Sequence, residues 1–149
     1  MISNDDEILS TFLVHSEIRK NIKKIKKQKK IFDENYQKKI LSRLKFELTN
    51  DQNQSLYEIN LDLKSSQKMF RLLQGDVGSG KTIVALCTAA NVVKSGFQVA
   101  VMAPTEILAR QHFNLAKKIF DKNINLEILS SKSEYKQKKI IINKLKKKE

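Results

Sequence analysis

The chain has 149 residues, of which 40% are hydrophobic and 30% charged, a balance that suits one compact domain and excludes a wholly disordered protein. Lysine and arginine number 29 against 16 acids, for a net charge of +13, which points to a polyanionic partner such as nucleic acid, although the Lys-, Ile- and Asn-rich coding of an AT-rich genome would give the same excess. The single cysteine, Cys87, excludes an internal disulfide and fits a reducing, cytoplasmic setting; the start, MISNDDEILS, is acidic where a secretory signal would be basic, and the apolar stretch IVALCTAANVV is too short to span a membrane.

Apolar Ile8, Phe12, Leu13 and Ile18 fall at roughly helical spacing, so a helix is expected from about Glu7 to Leu44, running through the basic tract RKNIKKIKKQKK. That tract has only Ile22 and Ile25 as apolar residues, and its plain reading is a solvated helix or linker. At Thr49 the sequence T-N-D-Q is a capping box: the Thr49 hydroxyl can accept the Gln52 N–H while the Gln52 amide reaches back to the cap. A helix is therefore predicted from near Asn50 to about Leu63, with Leu56, Ile59 and Leu63 on its buried stripe. KMFRLLQ follows as a short apolar strand, QGDVGSGKT as a turn, and TIVALCTAANVVKS as a helix ended by Gly96. FQVAVMA reads as a second buried strand closed by Pro104, after which Thr105 can cap the amphipathic helix EILARQHFNLAKKIF. Leu126 to Leu129 is a weaker third strand, and a Lys-rich helix is expected from about Ser133 to the end, its tract KQKKIIINKLKKKE reading as a solvated tail. Strands alternating with helices predict an α/β fold with a parallel sheet built from right-handed crossovers.

Of the four glycines, Gly75, Gly78 and Gly80 fall within six residues of one another, where a tight turn must approach a ligand with no Cβ in the way. The pattern G-x-x-x-x-G-K-[ST] is filled by Gly75, Gly80, Lys81 and Thr82, between a predicted strand and a predicted helix. Backbone N–H groups of Gly75, Asp76, Val77, Gly78, Ser79 and Gly80 would converge on phosphate oxygens, reinforced by the positive end of the following helix. Lys81 would bring its ammonium to the β and γ phosphates of ATP, and the Thr82 hydroxyl would hold Mg²⁺.

FELTNDQ, RLLQGDVGSGKT and VAVMAPTEILARQHF together resemble the first motifs of superfamily 2 helicases, and among these most closely the RecG family, which remodels stalled forks and Holliday junctions. GDVG is shared with the transcription-repair coupling helicases, which usually carry an aromatic residue where Ser79 stands, so RecG is the preferred likeness. FLVHSEIRKNIKK also looks like the helical segment that precedes the RecG motor. The resemblance implies an incomplete RecA-like P-loop fold, with residues 1–45 as a basic helical lead-in and residues 46–149 as the amino-terminal part of a truncated motor lobe. It implies ATP and Mg²⁺ as cofactors, branched or forked DNA and the remainder of the same helicase as partners, and no membrane. By position, Gln52 would read the adenine edge, while Pro104, Thr105, Arg110 and His112 would lie on the DNA backbone. Arg110 and His112, each taken alone, also read as ordinary solvated helix residues.

Two departures matter. Ser130-Ser131 stands where RecG relatives usually carry a Thr-Gly pair, and none of the acids after Thr82, namely Glu106, Asp121, Glu127, Glu134 and Glu149, forms the Asp-Glu box that the family uses for hydrolysis. The expectation is a fragment that binds ATP weakly without turnover and lacks the middle strands of its own sheet. Two alternatives stay open: a non-motor nucleotide- or nucleic-acid-binding remnant, and a piece of a coupling helicase.

Overall fold

The computed structural model describes residues 13–14, 16–17 and 33–147. The basic tract, 19–30, and most of the expected lead-in helix lie outside the described residues. Among the described residues five helices have defined limits: α1 (Glu34–Leu41), α2 (Asn50–Lys64), α3 (Lys81–Lys94), α4 (Glu106–Ile119) and α5 (Tyr135–Lys147).

The expectation of one helix running from about Glu7 to Leu44 is corrected at both ends of α1. Asp33 adopts an extended backbone, and its carboxylate accepts the Tyr36 N–H at 3.1 Å, so a new helix starts at Glu34. At the other end the Ser42 hydroxyl donates to the Lys39 carbonyl at 2.9 Å and its N–H turns back on the last turn, closing the helix at Leu41. The other boundaries follow local chemistry as expected. Thr49 and Gln52 form the capping box of α2, Gly96 at φ +81° follows the end of α3, and the Thr105 hydroxyl accepts the Leu108 N–H at the start of α4.

Helix α3 is the centre of the core. Ile83, Val84, Leu86, Cys87, Ala89, Ala90 and Asn91 are buried on several of its sides, and it packs against both α1 and α2. The predicted stripe of α2 is the buried one, Leu56, Ile59 and Leu63, and α1 adds Tyr36 and Ile40. Helix α4 reaches the core only at its end, through Ala116, Ile119 and the following Phe120. Ile40, Leu56 and Ile119 are each 1% exposed, and burying such a side chain contributes about 1.5–3 kcal/mol. Polar contacts set the register of this packing. The Asn60 and Asn91 amides both donate to Gln37 Oε1, at 3.1 and 3.2 Å, joining α1, α2 and α3. Arg43 bridges to the far end of α4, donating to the Ile119 carbonyl at 2.8 Å and pairing with Asp121, which Lys39 also meets at 3.1 Å.

The three expected strands do not form a sheet among the described residues. Apart from an isolated bridge at Gln67, the segments 68–74, 97–103 and 126–129 carry no strand. A ladder needs a second strand alongside to take its N–H and C=O groups, and these segments find none among the described residues. Their apolar residues still divide by face. Met69 and Leu73 pack against the core, while Phe70 and Leu72 are 47% and 73% exposed. Arg71 fastens the first segment to α2 through Glu58 at 2.7 Å and Asp62 at 2.9 Å.

Candidate functional site

The loop 75–80 turns through two glycines in the left-handed region, Gly78 at φ +84° and Gly80 at φ +80°. Gly80 is the N-cap of α3 and offers no side chain to its first turn, so no side-chain cap competes for the amides there. Space is tight as well. A Cβ on Gly75 would meet Ser79 Oγ at 2.7 Å, and one on Gly80 would meet Gln52 Nε2 at 2.3 Å.

Lys81 folds over its own loop. Its ammonium donates to the carbonyls of Gly75 at 2.7 Å and Asp76 at 2.6 Å and lies 3.4 Å from Ser79 Oγ, so all three of its donors are directed at the loop. Gln52 holds the loop from α2. Its Oε1 accepts the Thr49 N–H at 3.0 Å and its Nε2 donates to the Ser79 carbonyl at 2.9 Å. The carboxamide keeps one lone pair and one N–H beyond these bonds, so its cap role and a pairing role are chemically compatible. Gln52, Gly75, Asp76, Ser79, Gly80 and Lys81 thus meet at one place; Val77 projects from the loop fully exposed, and Thr82 is half-buried in the first turn of α3. Among the described residues no group of three or more His, Cys, Asp or Glu is placed to hold a metal ion.

The second set of expected residues lies at the start of α4. Pro104 and Thr105 are exposed, and the Thr105 oxygen is the cap acceptor, which leaves its hydroxyl proton free to donate. Arg110 pairs with Glu106 at 2.8 Å on the solvent side, and His112 is half-buried. No contact joins this set to the phosphate loop among the hydrogen bonds and ion pairs of the described residues. Three of the acids after Thr82 are held in ion pairs away from that loop: Glu106 with Arg110, Asp121 with Lys39 and Arg43, and Glu127 with Lys144.

One feature escaped the sequence reading. A cavity of about 340 Å³ opens beside the α2 cap, lined by Leu41, Ser42, Phe46, Glu47, Leu48 and Asn53. Its wall comes mostly from the connection between α1 and α2, with one residue from each helix, and no spacing rule foretells how such a connection folds; the half-exposed Phe46 ahead of the capping box was the available sign.

The DEAD/DEAH box helicase model matches residues 49–148, which contain both sets of residues. The chain is 46% identical over 129 residues to the ATP-dependent DNA helicase RecG of Aquifex aeolicus, covering 86% of this chain and 16% of that one. To the RecG of Borreliella burgdorferi it is 48% identical over 113 residues, covering 75% of this chain and again 16% of the relative. A solved structure of RecG bound to a three-way DNA junction superimposes with a TM-score of 0.80 at 37% identity, covering 87% of this chain and 18% of that one. The chain therefore spans about a sixth of the length of these relatives. The chain's fold matches a part of RecG, and with the family model matched over residues 49–148 the chain belongs to the DEAD/DEAH box helicases.

Proposed function

We propose that this chain is the start of the first motor lobe of a RecG-like, ATP-dependent DNA helicase that remodels branched DNA. Residues 1–45 would be its basic helical lead-in and residues 46–149 the beginning of the lobe. The observation that carries the reading is the Lys81 ammonium, held by the Gly75 and Asp76 carbonyls in a loop whose helix has no side-chain cap. A cation held only by neutral acceptors at the positive end of a helix is poised for an anion, and a triphosphate offers stronger, charge-assisted partners than those carbonyls.

On this reading ATP supplies the transferable phosphoryl group and Mg²⁺ offsets its charge. Lys81 would exchange its carbonyl partners for β and γ phosphate oxygens, the loop amides would hold the same phosphates, and Thr82 would give its hydroxyl to the metal. Gln52 would present its remaining donor and acceptor to the adenine. Thr105 and the first amides of α4, helped by Arg110 and His112 beside Pro104, would position a DNA strand by its phosphates. The ion pair of Arg110 with Glu106 is solvent-exposed and of the kind worth little, so it is readily exchanged for a phosphate. Segments 68–74 and 97–103 would enter a parallel sheet once neighbouring strands are supplied, and turnover would need acids beyond those present here. The buried, unpaired Cys87 fits a reducing, cytoplasmic setting, and no helix among the described residues is long and apolar enough to cross a membrane.

The test is a nucleotide titration. Charged hydrogen bonds are worth about 1.5–3 kcal/mol, so Lys81→Ala should weaken ATP binding about ten- to hundredfold. Unchanged affinity would remove the phosphate loop from the site. ATP turnover by the pure chain, stimulated by branched DNA, would overturn the statement that further acids are required.

A further inference from the structure

Helix α5 carries six lysines and no acid in YKQKKIIINKLKK. Two of them are engaged: Lys138 donates to the Ser131 carbonyl at 3.1 Å, and Lys144 pairs with Glu127 at 2.9 Å. The other four, Lys136, Lys139, Lys146 and Lys147, are exposed. At 3.6 residues per turn these four, with the exposed Asn143 between them, fall on one face about 100° wide and about 16 Å long. Ile141, the buried residue of α5, lies on the opposite side and docks the helix on the body.

Local helix energetics do not account for this stripe. Lys146 and Lys147 sit at the carboxy end, where a cation is favourable, but Lys136 is in the first turn, where the dipole repels it. The placement of α5 adds a direction. Gln98 donates to the Leu145 carbonyl at 2.9 Å, and Lys132, just ahead of α5, reaches Glu106 at 3.8 Å. The carboxy end of α5 therefore lies by the start of segment 97–103, and its amino end comes near the start of α4, where Thr105 stands.

We infer that the lysine stripe of α5 is a second nucleic-acid surface, a phosphate-backbone track that continues from the Thr105 end of α4 along Lys136, Lys139, Lys146 and Lys147. The occupant is DNA, recognised by its phosphates without regard to base sequence; this identification rests on the helicase reading above. Duplex DNA presents about one charge per 1.7 Å of axis, dense enough to meet all four ammonium groups along the helix. An anionic membrane fits less well, because an interfacial helix must offer one continuous apolar face, whereas the exposed apolar residues of α5, Tyr135, Ile140, Ile142 and Leu145, fall on both sides of the lysine stripe and Ile141 is turned into the protein.

The experiment measures binding of a labelled DNA duplex to the full chain as a function of salt, with and without the fourfold change Lys136→Gln, Lys139→Gln, Lys146→Gln and Lys147→Gln. Loss of four phosphate contacts should reduce the slope of log affinity against log salt by about 3 to 4 and weaken binding at low salt by at least about tenfold. The corresponding Lys→Arg variant, which keeps the charges, should keep the slope. On the unaltered chain, DNA should protect these four lysines from amine acylation, a readout that needs no variant to fold. An unchanged slope in a folded Gln variant, acylation indifferent to DNA, or binding to phosphatidylserine vesicles that competes out DNA through the same lysines would each overturn the inference. Failure of the helicase reading is distinguishable, because Lys81→Ala then leaves ATP affinity unchanged while the stripe is scored on DNA alone.

Discussion

Gly80 combines two constraints in one residue: a backbone at φ +80° and a Cβ position that lies 2.3 Å from Gln52 Nε2. The left-handed backbone alone costs an alanine about 1–2 kcal/mol, and the added methyl would push Gln52 off both Thr49 and Ser79. Gly80→Ala should therefore lower the urea midpoint by more than the backbone cost. With Gln52→Ala in the same chain, the extra part should disappear, a non-additivity that a double-mutant cycle reads directly. An identical cost with and without the Gln52 side chain would show that the contact does not matter. Cys87 makes the opposite kind of residue: 1% exposed, with burial pushing its thiol up to about 11. A thiolate-specific reagent at neutral pH should leave it unmodified in the folded chain and label it fully in denaturant.

At the scale of elements, the tie between α1 and the end of α4 depends on charge. Asp121 is held below its ordinary value by the hydrogen bond from Arg43, with Lys39 adding to it. A lowered folded pKa means that the native state binds the carboxylate's proton less readily than the unfolded chain does. The resulting stability is complete above the ordinary aspartate range and is lost as pH falls through the lowered folded value. Glu58, bonded by Gln54 and Arg71, and Glu106, bonded by Arg110, are shifted in the same direction. Chemical denaturation followed from neutral pH down to about pH 3 should thus show falling stability, and Asp121→Asn should reduce both the neutral-pH stability and the steepness of that fall. An acid profile identical in the variant would mean that the Arg43 contact makes no difference to folding.

For the whole molecule, the consequence of unpaired segments is exposed apolar surface. In segments 68–74 and 97–103, Leu72 is 73%, Val101 55% and Met102 95% exposed, large apolar side chains that a partner strand or layer would otherwise cover. The isolated chain should bind an apolar dye and scatter light increasingly with concentration, and Leu72→Lys with Met102→Lys should reduce both. Dye binding and scattering unchanged by that pair of substitutions would place the sticky surface elsewhere.

Much of this was decided by the sequence itself, and the reason is range. The Thr49 capping box, the glycine after α3, the Thr105 cap and the loop from Gly75 to Thr82 each depend on residues within a few positions of one another, so their chemistry is complete in a short string. The stripe of α2 was legible because helical spacing alone selects Leu56, Ile59 and Leu63. Other features depended on residues far apart in the chain. That Gln52 braces the loop needed Ser79, 27 positions away, and that the segment after α1 is tied to the end of α4 needed Arg43 and Asp121, 78 apart. The strands were legible as apolar strings but not as a sheet, since a ladder is a property of two segments and the described residues provide no partner. The face of α5 that meets solvent was likewise settled only by tertiary packing: a lysine-rich helix can turn any side outward until Ile141 and Gln98 dock it.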